Sequence, residues 1–190
     1  MRDAVQVLRS VDDIRVMLAE DASFMTMLST VVVLGLPDCW IGAGAVRNRI
    51  WDCLHGLGPR CSEETDVDVI FHDETDISVE RDAAFEKLLS GQRTGLDWQV
   101  RNQARMHLRN GDAAYRDCAD AMRHWPETAT AIAARLENGR IELLAPFGFD
   151  DVLDLVVRPT PAFLNKQEMF RARQAAKNWR ARWPLLSFVV

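Results

Sequence analysis

Cysteine is scarce in this sequence, and no two cysteines stand at the spacing of a metal or redox motif. The four cysteines among the 190 residues are Cys39, Cys53, Cys61 and Cys118. Zinc ribbons need paired C-x-x-C motifs, and small secreted scaffolds need a higher density of cysteine. Both classes are therefore excluded, and we expect reduced thiols in a cytoplasmic protein.

Basic charge and long apolar runs are also lacking. The chain has 23 basic and 28 acidic residues, which give a formal net charge of −5. Broad nucleic-acid binding depends on a basic surface, so we do not expect it here. The uncharged run of residues 22–36 is shorter than the roughly 20 residues of a membrane span. Because acidic residues precede this run, it predicts a buried helix rather than a secretion signal or a membrane anchor.

The remaining composition is that of a globular protein. Hydrophobic residues make up 48% of the chain and charged residues 27%, and a chain of this length buries roughly 70% of its unfolded surface. We expect a single domain with a helical N-terminal segment over residues 1–38 and a core over residues 39–161. A Pro-Thr-Pro break separates this core from a last helix within residues 162–190.

What the sequence does contain is an aspartate pair inside an apolar run. Residues 65–71 predict a β-strand in which Asp66 and Asp68 point to one face while Val67 and Val69 point to the other. Two carboxylates on one face suit Mg²⁺ or Mn²⁺ and can hold a pair of ions for phosphoryl or nucleotidyl transfer. An Asp-x-Asp pair is also found where a strand end reaches solvent, so the neighbouring sequence decides between the two interpretations.

A strand–turn–helix unit stands upstream of the aspartates. A short apolar strand ends at the turn Gly42-Ala43-Gly44, and a helix with regularly spaced apolar positions follows it. Gly42 and Gly44 permit close backbone approach, and the amides of a helix N-terminus attract an anion. Arg47 and Asn48 in the first helical turn can donate to phosphate oxygens. The alternative is a tight turn whose glycines serve only helix–strand packing.

Together, the glycine turn and the Asp-x-Asp strand resemble the core of the polymerase-β-type nucleotidyltransferase superfamily. Four ordered stretches are similar to those of a bacterial nucleotidyltransferase-like family of unknown substrate: residues 40–48, 65–69, 98–107 and 125–131. The resemblance covers roughly residues 40–161. It implies an α+β fold, in which a mixed β-sheet is flanked by helices and extra helices follow at the C-terminus. It also implies an NTP as donor substrate and Asp66 and Asp68 as metal ligands.

The turn departs from the usual pattern of that superfamily. A Gly-Ser turn is usual there, whereas this chain has Gly42-Ala43-Gly44, so no turn hydroxyl is available to the triphosphate. Backbone amides and Arg47 would have to hold the phosphates instead. The aspartates also come later than in compact members, because Asp66 lies 22 positions after Gly44.

The resemblance further implies a third carboxylate on an adjacent strand, as base on the acceptor hydroxyl or as a metal ligand. Asp97 opens the next predicted strand and is our candidate, with Glu142 as the alternative, and either can also be a solvated strand position. Asn102 and Arg105 belong to a donor-rich stretch, residues 101–107, that suits phosphate, ribose or base recognition. Capping and hydrogen bonds between elements are the structural alternative for that stretch.

Helices are predicted for much of the remaining chain. Residues 113–136 predict two helices, and Trp125-Pro126-Glu127-Thr128 predicts a helix start. Residues 165–182 predict a last helix with six basic residues and one acidic residue. A solvated charged face is the usual interpretation of such a run. The functional interpretation is a basic lid over the site, or a grip on an acidic acceptor such as RNA.

We therefore expect transfer of a nucleoside monophosphate from an NTP to an acceptor, with Mg²⁺ or Mn²⁺ bound by Asp66 and Asp68. The glycine turn and Arg47 would hold the triphosphate, and Asp97 would assist the acceptor. The acceptor could be a small molecule, a protein side chain or an RNA end. A non-catalytic nucleotide-binding or regulatory module with the same fold is the competing interpretation, and metal-dependent phosphoester hydrolysis is a third.

Overall fold

A computed structural model of the chain describes residues 8–57 and 66–189. Cys61 and most of the loop that precedes Asp66 lie outside these residues. Within the described ranges, no helix is both long enough and apolar enough to cross a membrane.

The described residues form helices and strands that alternate along most of the chain. The helices are α1 (Val11–Glu20), α2 (Ala22–Val32), α3 (Gly44–Leu54), α4 (Val79–Gln92), α5 (Gln103–Asn110), α6 (Cys118–Met122), α7 (Asp150–Leu153), α8 (Gln167–Lys177) and α9 (Trp179–Arg182). The strands are β1 (Trp40–Gly42), β2 (Asp66–Phe71), β3 (Asp97–Asn102), β4 (Ala133–Glu137), β5 (Arg140–Leu144), β6 (Val156–Val157) and β7 (Ser187–Phe188). A short 3₁₀ helix covers Pro161–Phe163.

Five strands form one mixed sheet in the order β3-β2-β1-β4-β5. β2 and β3 are parallel, β1 is antiparallel to both of its neighbours, and β4 is antiparallel to β5. β6 and β7 form a separate parallel pair. The predicted α+β fold, with a mixed sheet flanked by helices and additional C-terminal helices, is confirmed.

The alternation in β2 places its side chains as the sequence predicts. Val67 and Val69 are buried in the main core, which also includes side chains from α1, α2 and α3. Ile70 faces the other side of the sheet and joins a smaller apolar cluster with Trp40, its partner in the β1 register. The aspartate pair at the start of β2 therefore shares the face of Ile70.

The uncharged run of residues 22–36 forms α2 and a following turn. Asp21 caps the helix, because its side chain accepts a hydrogen bond from the amide of Phe24 at 3.0 Å. Phe24 and Leu28 are buried in the main core. The predicted buried helix is confirmed, although it ends at Val32, four residues before the run does.

The predicted pair of helices over residues 113–136 is wrong. The structure has the short helix α6 and then strand β4, and the predicted helix start at Glu127 is an isolated β-bridge with Pro159. Alanine favours helices in isolation, but Ala133 and Ala134 pair with both β1 and β5. They are fully buried on opposite faces of the sheet. Pairing within a strand that is covered on both sides therefore overrides helix propensity.

The predicted last helix over residues 165–182 is divided in two. α8 ends directly before Asn178 and α9 begins directly after it, because Asn178 has a left-handed conformation with a φ of 46°. Asparagine is one of the few residues besides glycine that adopt this conformation readily. After the break, Trp179 and Trp183 meet Trp51 of α3 at ring-centroid distances of 5.4 and 5.1 Å.

Hydrogen bonds to Asp52 complete the attachment of α9 to α3. This carboxylate is 3% exposed and accepts hydrogen bonds from Nε1 of Trp183 at 2.9 Å and from Nε of Arg182 at 3.2 Å. A buried carboxylate is tolerated only where donors surround it. The C-terminal helices are therefore fixed to the helix that follows the glycine turn.

Candidate functional site

The N-terminus of α3, the start of β2 and the C-terminal helices surround a cavity of about 330 Å³. Five residues of the predicted site lie in its wall: Gly44, Arg47, Asn48, Asp66 and Asp68. The rest of the wall consists of Ala43, Arg173, Lys177, Asn178, Trp179, Arg182 and Trp183. The structure thus brings the aspartate pair, the first turn of α3 and a set of basic side chains to one place.

The pKa of Asp68 is raised above its usual range. Burial of the carboxylate is the main cause, and the negative charge of Asp66 raises the pKa further. The charges of Lys177, Arg47 and Arg173 act in the opposite direction. The two carboxylates therefore repel each other in a partly buried place, and a cation bound between them would relieve that repulsion.

The aspartate pair fits a divalent cation that is bound together with a substrate. Asp66 and Asp68 leave the same face of β2, and both line the cavity. In residues 8–57 and 66–189, no group of three or more His, Cys, Asp or Glu side chains is arranged to hold a metal ion. Mg²⁺ is commonly bound by one or two carboxylates and takes its other ligands from water and substrate phosphates. The oxygen donors of this pair suit Mg²⁺ or Mn²⁺ in that way.

The glycine turn is held by packing as well as by its backbone. A Cβ on Gly42 would lie 3.0 Å from the Cη2 atom of Trp125, so glycine leaves room for that ring. Ala43 has a φ of 52°, a region that glycine favours, and its amide donates to the carbonyl of Ile132 at 2.9 Å. Gly44 begins α3 and lines the cavity. Gly42 therefore serves the packing of the turn, and Gly44 is the glycine in the cavity wall.

Arg47 is part of the cavity wall, but protein encloses its guanidinium. The residue is 4% exposed, and the guanidinium lies over the rings of Trp51 and Trp179 at 4.8 and 4.4 Å. It donates to Oδ1 of Asn48 at 3.0 and 2.7 Å and to Oγ1 of Thr130 at 2.8 Å. A direct grip on phosphate would compete with these bonds. In this arrangement Arg47 contributes positive charge to the cavity, and its hydrogen bonds hold its side chain rigidly in the cavity wall.

Basic residues of α8 and α9 line the cavity together with the aspartates. The sequence favoured a solvated charged face for this segment over a basic lid, and the predicted site residues did not include them. Arg173 and Lys177 are four positions apart on α8, so they share one face of the helix. Both line the cavity, as does Arg182 of α9. Arg171 and Arg180 line a different cavity on the C-terminal helices. The spacing of Arg173 and Lys177 was a usable signal, but only the fold shows that their face of the helix lines the cavity with Asp66 and Asp68.

Asp97 lies directly beside Asp66 in the parallel register of β2 and β3. Residues paired in this way share a face of the sheet. Asp97 is exposed and stands on the side of β2 away from β1 and the glycine turn, outside the cavity wall. Glu142 lies on β5, which β1 and β4 separate from β2. Of the two predicted third carboxylates, Asp97 is the one next to the aspartate pair.

Asn102 and Arg105 do not reach the cavity, because they lie at the opposite end of β3. Asn102 is fully buried, its Oδ1 accepts from the amide of Ala104 at 3.1 Å, and its Nδ2 donates to the carbonyl of Asp73 at 2.7 Å. Arg105 forms an ion pair with Asp82. The end of β3 is roughly 16 Å from its first residue, at about 3.3 Å per residue. Both residues therefore fit the structural alternative, in which the side chains serve helix capping and contacts between elements.

Replacement of Asp68 tests the repulsion within the aspartate pair. The folded protein raises the pKa of this carboxyl above its unfolded value, so its ionisation lowers stability as the pH rises from the unfolded pKa through the folded pKa. At neutral pH we expect Asp68→Asn to keep or raise the melting temperature in EDTA, and to weaken Mn²⁺ binding by about tenfold or more. Any gain in stability should vanish below about pH 4, where the unfolded carboxyl is also protonated. A clear loss of melting temperature in EDTA at neutral pH would contradict a pre-formed ion site.

Solved structures with similar folds include CCA-adding enzymes. An NMR structure described as revealing a CCA-adding enzyme head domain is 36% identical, with a TM-score of 0.86 over 98% of this chain and 99% of that one. The Thermotoga maritima CCA-adding enzyme complexed with tRNA is 14% identical, with a TM-score of 0.58 over 97% of this chain and 43% of that one. A complex of CCA-adding enzyme with ATP is 15% identical, with a TM-score of 0.58 over 93% of this chain and 43% of that one. The two enzyme complexes share the fold, and this chain spans less than half of their length.

A family model gives the assignment. The model, described as Nucleotidyltransferase, matches residues 29–188, which include the glycine turn, the aspartate pair and both C-terminal helices. No curated protein matches the chain. The family match and the 36% identical head-domain structure confirm the resemblance that the sequence motifs indicated. The chain belongs to the nucleotidyltransferase family, and its fold is that of the polymerase-β-type nucleotidyltransferases.

Proposed function

We propose that the protein transfers a nucleoside monophosphate from an NTP to an acceptor, in a reaction that depends on Mg²⁺ or Mn²⁺. The observation that carries this proposal is the cavity in which Asp66 and Asp68 face basic side chains across the N-terminus of α3. A metal–triphosphate complex has the matching order of charge. Its cation would lie against the carboxylates. Its phosphates would lie against the basic wall, which consists of Arg173, Lys177 and Arg182.

The carboxylates and the basic side chains have different roles in this proposal. A divalent cation held by Asp66 and Asp68 would polarise the reacting phosphoryl group and neutralise part of its charge. The acceptor oxygen attacks the α-phosphorus, the bond from that phosphorus to the bridging oxygen breaks, and pyrophosphate leaves. Arg173 and Lys177 would bind the β- and γ-phosphates, where negative charge accumulates as the bond breaks. These two residues take over the phosphate contact that the sequence assigned to Arg47.

We assign Asp97 to the acceptor rather than to the donor. The glycine turn follows β1 and lines the cavity together with the basic residues of α8 and α9, whereas Asp97 lies on the β3 side of β2, beside Asp66 and outside the cavity wall. An exposed carboxylate there can accept the proton of an incoming hydroxyl. The acceptor is a small molecule, a protein side chain or an RNA end, and the protein acts in the cytoplasm. Asn102 and Arg105 have no role in this proposal, because they lie at the far end of β3.

Thermal unfolding with each NTP, with and without Mn²⁺, tests the donor site. At a ligand concentration a hundredfold above Kd, binding adds about 2.7 kcal/mol, a rise of roughly 5–10 °C for a chain of this size. We expect wild type to need both metal and nucleotide for this rise, and Asp66→Asn to lose it. Asp154→Asn is the matched control, because Asp154 is exposed and lies outside the cavity wall.

Products formed from an NTP labelled at the α-phosphate separate the possible activities. Labelled acceptor plus pyrophosphate supports transfer, whereas labelled nucleoside monophosphate indicates hydrolysis. A nucleotide that stabilises the protein without any turnover indicates a non-catalytic binding module. Asp97→Asn should slow turnover and leave the NTP-dependent rise in melting temperature unchanged.

Charge reversal at Lys177 tests the basic wall. Lys177 is exposed, so its replacement does not disturb the core, whereas charge reversal at the buried Arg47 would. We expect Lys177→Glu to weaken NTP binding by about tenfold or more and to leave nucleoside binding nearly unchanged. Arg171→Glu is the control, since it makes the same change on the same helix outside this cavity. Equal losses for NTP and nucleoside in Lys177→Glu would rule out a phosphate contact.

A further inference from the structure

Glu127 is a completely buried carboxylate behind the basic wall. Its relative exposure is 0%, and it lies between α6 and β4 in an isolated bridge with Pro159. Its Oε1 accepts hydrogen bonds from Nε of Arg173 at 2.7 Å and from Nε2 of Gln174 at 2.9 Å. Its Oε2 is buried and has no hydrogen-bond partner among the described residues. Both donors belong to α8, so the carboxylate ties this helix to the segment that leads into the sheet.

The arrangement is poorly explained by stability alone. A buried carboxylate with one unbonded oxygen is costly, and an apolar residue of similar volume commonly stabilises a core at least as well. The contact does, however, remove much of the freedom of a long side chain. An arginine held at Nε keeps its position, whereas a free one samples many rotamers.

The orientation of Arg173 follows from this contact. Its guanidinium is held at Nε by Glu127 and lies 5.9 Å from the ring centroid of Trp179, and its side chain is 32% exposed. Within the described residues, Nε is the only nitrogen of this guanidinium that donates a hydrogen bond. The residue lines the cavity, and its charge acts on Asp68. The two Nη groups therefore remain for a ligand, and such a pair matches two oxygens of a phosphate.

We infer that Glu127 is a positioning residue, which holds Arg173 so that its Nη groups meet the triphosphate of the donor. The inference rests on the proposed function, because it needs an NTP in the cavity. The inference also distinguishes Arg173 from Lys177, the other basic residue of α8 in the cavity wall. Arg173 is fixed before the nucleotide arrives, whereas Lys177 is exposed and adjusts to it.

A double-mutant cycle on nucleotide affinity tests this inference. The variants are Glu127→Leu, Arg173→Ala and the double variant, and the measured quantities are the Kd values of NTP and of nucleoside monophosphate with Mn²⁺. We expect each single variant to weaken NTP binding by about tenfold and to change monophosphate binding much less. The double variant should bind NTP no more weakly than Arg173→Ala, because Glu127 acts only through Arg173.

Asp82→Leu is the matched control for loss of a buried carboxylate. Asp82 is 2% exposed, forms an ion pair with Arg105 and has one buried oxygen without a hydrogen bond, as Glu127 does. It lies outside the cavity wall. We expect Asp82→Leu to change stability and to leave NTP affinity as in wild type. A loss of NTP affinity in this control would mean that any buried carboxylate matters in the same way, and would overturn the positioning role.

The outcomes separate this inference from the proposed function. If wild type binds no NTP, the result contradicts the proposed function, and the inference on Glu127 fails with it. Normal binding by wild type together with an unchanged Kd in Glu127→Leu, or with losses that multiply in the double variant, overturns the positioning role alone. ¹⁵N relaxation of Nε of Arg173 in wild type is the second measurement, in case Glu127→Leu does not fold. A rigid Nε before NTP is added supports the inference, and a mobile one overturns it.

Discussion

Trp51 of α3 packs edge-on against Trp179 and Trp183, and this contact joins two distant parts of the chain into one site. Each aromatic pair of this kind contributes about 0.5–1.5 kcal/mol beyond the area that it buries. The bonds that Asp52 accepts from Arg182 and Trp183 add a fixed orientation. Together with the hydrogen bonds from α8 to Glu127 and the burial of Phe170 in the main core, this attachment fixes the basic residues of α8 and α9 relative to the aspartates of β2. The cavity is therefore a consequence of how the C-terminal helices dock on α3.

The charges around the cavity follow from that docking. Burial beside Asp66 makes ionisation of Asp68 unfavourable, and the facing cations compensate only in part, since the pKa of Asp68 remains raised. A metal–triphosphate complex would fit between these charges, with its metal ion next to the carboxylates of β2 and its phosphates next to the basic side chains of α8. Three of the basic side chains in the cavity wall have different surroundings. Arg47 is enclosed by two tryptophan rings, Arg173 is bonded to a buried glutamate, and Lys177 is exposed.

The sequence predicted those features that depend on near neighbours along the chain. The strand with Asp66 and Asp68 on one face follows from a period of two, and the turn and helix before it follow from glycine and apolar spacing. The individual side-chain partners that lie far apart in the sequence could not be predicted. Arg105 and Arg173 are both helical arginines paired with buried carboxylates, and only the sheet topology places one far from β2 and the other beside it. Glu127 follows a proline, as at a helix start, but its partners on α8 are 46 and 47 positions away.

In the proposed function, the carboxylates of β2 and the basic side chains of α8 bind opposite ends of one metal–nucleotide complex. A crystal structure with Mn²⁺ and a non-hydrolysable NTP analogue, with anomalous data collected at the manganese edge, would show whether both ends are bound in this way. We expect manganese between Asp66 and Asp68, and the β- and γ-phosphates within hydrogen-bond distance of Arg173 and Lys177. Manganese at another site, or a triphosphate bound away from α8, would contradict this expectation.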